Sequence, residues 1–158
     1  MKFVCALGMV LMTCCPLVQA QDSQSGVPEG YIALLRSDVK AKKTDIIQQN
    51  LTLTEDQAKK FWPIQRSYET DLSKLGDQRL ETIREYAKNW DTLTDDQAKS
   101  LGKRTFDFQK KRVDLRNKYF DQISKQVSPT IAAKYMQIEI QMENLIDLSI
   151  ASQIPLIK

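Results

Sequence analysis

Residues 95–127, DDQAKSLGKRTFDFQKKRVDLRNKYFDQISKQV, decide the fold class. At 100° per residue, Leu101, Thr105, Phe106, Phe108, Val113, Leu115, Tyr119, Phe120, Ile123 and Val127 fall in one half of a helical wheel. Lys103, Arg104, Asp107, Lys110, Lys111, Asp114, Lys118, Asp121 and Lys125 fill the other half. This is the period of an amphipathic helix, about Asp95 to Val127. Working outward, the same spacing predicts a helix over about Glu55 to Trp90, through Phe61, Tyr68, Leu72, Leu75, Ile83 and Tyr86. A fourth helix, about Pro129 to Ser149, carries Ile131, Tyr135, Ile138, Met142, Leu145 and Ile146. The first, about Glu29 to Asn50, carries Ile32, Leu35, Val39 and Ile46. No stretch sustains period-two alternation, so the expected fold is all-α, with four helices of which two are long. Residues 31–150 read as one helical domain, between a polar leader at 21–30 and an apolar tail at 151–158 built around Pro155.

Length constrains the shape. A helix from Glu55 to Trp90 would run roughly 54 Å, whereas a compact chain of this size is on the order of 37 Å across. The expectation is an elongated, curved molecule, with Pro63 bending the second helix near Lys59. A second copy, giving a homodimer, is a natural cover for the apolar face of such a shape.

Leu53-Thr54-Glu55-Asp56-Gln57 and Leu93-Thr94-Asp95-Asp96-Gln97 repeat one motif 40 residues apart, each followed by Ala-Lys. Thr54 and Thr94 have the chemistry of N-caps, with Gln57 and Gln97 three residues on to complete a capping box. The two acids between cap and glutamine face the positive end of the helix dipole. Leu53 and Leu93 take the position before the cap, and Ser128-Pro129 gives another helix start. Twin L-T-x-x-Q motifs in a small all-helical chain resemble the Spy/CpxP superfamily of periplasmic stress proteins. The run from Phe61-Trp62-Pro63 to Gly76-Asp77-Gln78-Arg79 also resembles a group of exported proteins related to it. The resemblance implies a helical-hairpin arrangement, assembled as a thin antiparallel dimer that binds unfolded or partly folded proteins without ATP. One CpxP-type member instead binds an envelope-stress sensor kinase. Members that respond to zinc or nickel use histidines and methionines near the N-terminus, which this chain lacks after residue 20 until Met136.

Three charges interrupt the apolar faces: Arg79, Arg112 and Glu139. A charge on a buried stripe must be paired or reach solvent. One expectation is an interhelical ion pair of Glu139 with Arg79 or Arg112. The others are that these side chains snorkel at the rim of a shallow core, or that the arginines line a surface for clients.

The N-terminus reads as a cleavable secretory signal: Lys2, an apolar run from Phe3 to Val18, and Val18-Gln19-Ala20 before Gln21. Residues 1–20 would then be removed, and the location would be periplasmic with no membrane span left. Of the 23 Lys and Arg one lies in that segment, and none of the 20 Asp and Glu does, so the remaining excess is 22 over 20. So small an excess is too little to imply nucleic acid or an anionic membrane as the main partner, and no nucleic-acid partner is expected. Cys5, Cys14 and Cys15 all fall within the segment and the chain has no histidine. What remains lacks thiol and imidazole, and carries no Gly-rich phosphate loop. Met136 and Met142 read as core rather than a metal site. The expectation is a protein without enzymatic activity, cofactor or metal, binding non-native exported proteins or, in the alternative, acting as an adaptor for one folded envelope partner.

Overall fold

The computed structural model describes residues 42–157. The expected signal, the leader and most of the first helix lie outside them. Within them, residues 42–50 are helical (α1), followed by α2 (Glu55–Asn89), α3 (Asp95–Gln126) and α4 (Pro129–Ala151). The protein is all-α. Thr54 and Thr94 each accept from the backbone N–H of Gln57 and Gln97 at 3.3 Å. Gln57 and Gln97 in turn accept from the cap N–H at 3.0 Å, closing both boxes. Ser128 caps α4 by accepting from Ile131 N–H at 3.1 Å, with Pro129 in the first turn.

At 35 residues α2 is roughly 52 Å long. It runs through Pro63 without interruption. The proline lies on the exposed face, where water can replace the hydrogen bond its ring removes. α2 and α3 are antiparallel, and polar side chains pair across them every seven residues. Lys118 Nζ reaches Asp71 at 3.3 Å, Lys111 Nζ donates to Gln78 at 3.3 Å, and Arg104 pairs with Glu85. Seven-residue steps are the register of a supercoiled pair. α4 returns antiparallel to α3 and parallel to α2. The backbones of α2 and α3, and of α3 and α4, come within 8 Å of each other. Between α2 and α4 the bridges are long side chains, Phe61 with Tyr135 and Arg79 with Asp147, and Tyr86 ties α2 to the tail at the Pro155 carbonyl.

The core is divided. The larger part gathers Ile47 and Leu51 with Phe61, Ile64, Tyr68, Tyr119, Ile123 and Tyr135. Its rings meet edge to face, at 5.2 Å for Phe61 and Tyr135 and 5.3 Å for Tyr68 and Tyr119. A smaller part, Ile83 and Ile150 with Leu80, Ile146 and Ile154, lies toward the far end. The tail therefore folds back: Ile154 packs there, and Tyr86 Oη donates to the Pro155 carbonyl at 2.5 Å.

The buried stripe of α3 is narrower than the apolar half-wheel. Leu101, Phe108, Arg112, Tyr119 and Ile123 are buried, whereas Phe106 is 75% and Val113 45% exposed. Both stand about 100–120° round the wheel from Arg112, beyond the face that the neighbouring helices cover. With both boxes closed, Thr54→Ala and Thr94→Ala should each cost about 1 kcal/mol in urea unfolding, at unchanged denaturant slope. Loss-free midpoints in both variants would remove the caps from the list of stabilising contacts.

Candidate functional site

Glu139, Glu143 and Asp147 occur at four-residue steps on α4, which stacks them on one helix face. Cations from the three other helices meet them. Lys43 Nζ from α1 lies 2.5 Å from Glu139 Oε1 and 2.6 Å from Glu69 Oε1 on α2. From α3, Arg116 Nη1 lies 3.1 Å and Arg112 Nε 3.8 Å from Glu143 Oε2. Asp147 takes two guanidinium groups, Arg79 Nη1 at 2.5 Å and Arg112 Nη2 at 2.8 Å. Both of these arginines also lie over the Phe108 ring, at 5.2 and 5.1 Å. The result is a ladder of four cations and four anions between the two parts of the core.

Glu139 is 0% exposed. Burial pushes its carboxyl up, Lys43 opposes, and the balance rests at about 7. Its Oε2 has no hydrogen-bond partner among the described residues. Burial pushes the Lys43 ammonium down, but Glu139 and Glu69 outweigh it, so it stays charged and is raised. Glu143 is raised by burial against the pull of Arg112 and Arg116. Asp147 goes the other way, since the Arg112 hydrogen bond and the nearby Arg79 together outweigh its burial. Tyr68 Oη donates to Glu143 at 3.5 Å, and burial raises its phenol.

The expected pairing of Glu139 with Arg79 or Arg112 is thus corrected. Glu139 pairs with Lys43, and both arginines go to Asp147. Two turns of α4, roughly 12 Å, separate those carboxylates, and the register of α3 sets Arg112 level with Asp147 and Glu143. Arg112 is buried, which removes it from any surface offered to a client. The capping residues Leu53, Thr54 and Gln57 stand at one end of α2, and Leu93, Thr94 and Gln97 at the start of α3, a helix length away. The structure does not bring them into one site. Lys43, Glu143, Asp147 and Arg116 were missed by the wheel reading. The signal for the acids was the spacing E-x-x-x-E-x-x-x-D laid over Ile138, Met142 and Ile146.

Beside the ladder, α2 and α4 enclose a groove of about 180 Å³. Its described lining includes Leu72, Leu80 and Ile83 from α2, Phe108 from α3, and Ile146 and Ile150 from α4. Among the described residues no cluster of His, Cys, Asp or Glu could hold a metal ion, and no helix is long and apolar enough to cross a membrane. Comparison with protein-family models, with curated proteins and with solved structures finds no match.

A buried pair is costly to break and cheap to replace as a unit. Lys43→Met should cost about 3 kcal/mol or more, and Lys43→Met with Glu139→Leu should recover most of it. Additive losses in that cycle would mean the two groups do not interact. The ladder also sets a pH dependence. Native Glu139 takes up a proton near pH 7 and the unfolded carboxyl near 4.5, so the native state binds more protons between these values. The contribution of Glu139 to stability therefore falls as pH rises through that window and is level above it. Relative to wild type, Glu139→Gln should gain roughly 3 kcal/mol from pH 4.5 to pH 7.5. Parallel stability curves for the two proteins would contradict the burial assigned to this carboxyl.

Proposed function

We propose that this protein is an exported, non-enzymatic binding module similar to the Spy/CpxP superfamily, which holds non-native proteins on an amphipathic helical surface without nucleotide. The observation that carries the reading is the pair of closed L-T-x-x-Q capping boxes, each opening one arm of a long antiparallel hairpin. A binding role also needs apolar groups that the scaffold leaves in water. Phe106 on α3 and Leu145 and Leu148 on α4 are 75%, 69% and 68% exposed. Unfolded segments offer complementary apolar side chains, and a rigid scaffold need not reorganise to meet them. The ladder supplies that rigidity, because its charges tie all four helices together. In this reading the site is the exposed apolar surface, and the buried ions support it.

The test is suppression of aggregation for several unrelated clients, reduced or heated, at near-stoichiometric ratio with no nucleotide. The expected result is suppression by the wild type and a several-fold loss in Phe106→Ser with Leu148→Ser, at an unchanged melting temperature. No suppression of any client, together with stable binding to one folded envelope protein, would replace the chaperone with an adaptor.

A further inference from the structure

Past α4 the chain leaves the helix within a few residues. Gln153 N–H donates to the Ile150 carbonyl at 3.0 Å and Ile154 N–H to that of Ala151 at 3.3 Å, and residues 155–157 are not helical. Pro155 has no N–H with which to continue the spiral. The segment is nevertheless fastened to the end of the hairpin. Ile154 packs against Ile83 and Ile150, and lines one hollow with Thr82 and Ile83 of α2 and Phe108 of α3. The next carbonyl, that of Pro155, accepts from Tyr86 Oη. Leu156 and Ile157 follow, 88% and 56% exposed. A pocket for one side chain beside a fixed donor for a main-chain carbonyl is how proteins take hold of extended peptides. The donor reads no sequence, since every peptide unit offers a carbonyl. The pocket reads one aliphatic group. Its walls are held by contacts that do not involve the tail: Ile83 and Ile150 lie one turn beyond Arg79 and Asp147, whose ion pair ties α2 to α4. Tyr86 is three residues past Ile83, on the same side of α2.

We propose that this end of the hairpin is a peptide-binding site, taking extended segments that present one aliphatic side chain next to a main-chain carbonyl, and that residues 152–157 are its built-in occupant. The tail is held at Ile154 and Pro155 while its next two apolar side chains stay largely in water, so its release uncovers the seat without moving a helix. Its short link to α4 makes it a tethered competitor, at an effective concentration on the order of millimolar. An incoming segment takes the seat only when it fits better or is locally more concentrated. The inference does not rest on the chaperone reading: peptide binding here and suppression of aggregation through Phe106 and Leu148 are separate measurements, and either can fail alone.

The test uses the full chain and a fluorescent peptide with the sequence of residues 152–157, Ser-Gln-Ile-Pro-Leu-Ile, followed by anisotropy. Ile154→Ser in the protein weakens the tethered competitor, so this variant should bind the peptide roughly tenfold or more tighter than wild type does. Adding Tyr86→Phe should weaken that binding several-fold, and a peptide carrying the same Ile154→Ser change should not bind. Ile154→Ala is the second variant, read in the same way, in case Ile154→Ser abolishes cooperative melting. Absence of binding to a variant that still melts cooperatively would overturn the proposal. So would equal binding by wild type and variant, or equal binding of the two peptides, since either places the contact elsewhere. Loss of cooperative melting in both variants would also overturn it, because an exchangeable segment cannot be indispensable to the fold.

Discussion

A carboxylate that has lost all contact with water organises this molecule. Glu139 sits on the inner face of α4 with Lys43 and Glu69 around it, and an ion so placed is tolerated only with an opposite charge at hand. That demand fixes where α1 lies, since its other described attachments, Ile47 and Leu51, are apolar and would accept neighbouring positions. The same logic repeats at Glu143 and Asp147. Apolar packing alone would let long parallel rods slide by a turn; displaced by a turn, this ladder would leave a charge unmatched. Its net contribution to stability is small beside the burial of Phe61, Tyr68 and Tyr135, but its contribution to register is large.

Most of the secondary structure was legible in the sequence. The expected helices over Glu55–Trp90, Asp95–Val127 and Pro129–Ser149 are found at Glu55–Asn89, Asp95–Gln126 and Pro129–Ala151. Thr54, Thr94 and Ser128 mark the starts because capping is decided within four residues, and such local rules need no tertiary context. The ends drift by one or two residues where no glycine stops them.

The site was legible only in part. A wheel shows that Arg79, Arg112 and Glu139 lie where apolar groups are expected, but it carries no depth or partner. Those depend on which residue of α3 stands level with which of α4. Lys43 was invisible because a lysine four residues before Ile47 looks like any solvated side chain. Phe106 and Val113 misled in the opposite sense, since an apolar arc records what could be buried, and the neighbours decide how much of it is.

The connections have a consequence for the order of assembly. Residues 90–94 and 127–128 are short links between adjacent antiparallel helices, so those contacts close small loops. Lys43 and Glu139 are 96 positions apart. During synthesis the hairpin of α2 and α3 has its pairing partners before α4 has emerged, while Lys43 has Glu69 within reach but must wait for Glu139 until α4 has been made. The burial of the Glu139 carboxylate is thereby deferred until α4 docks, after α2 and α3 have been made.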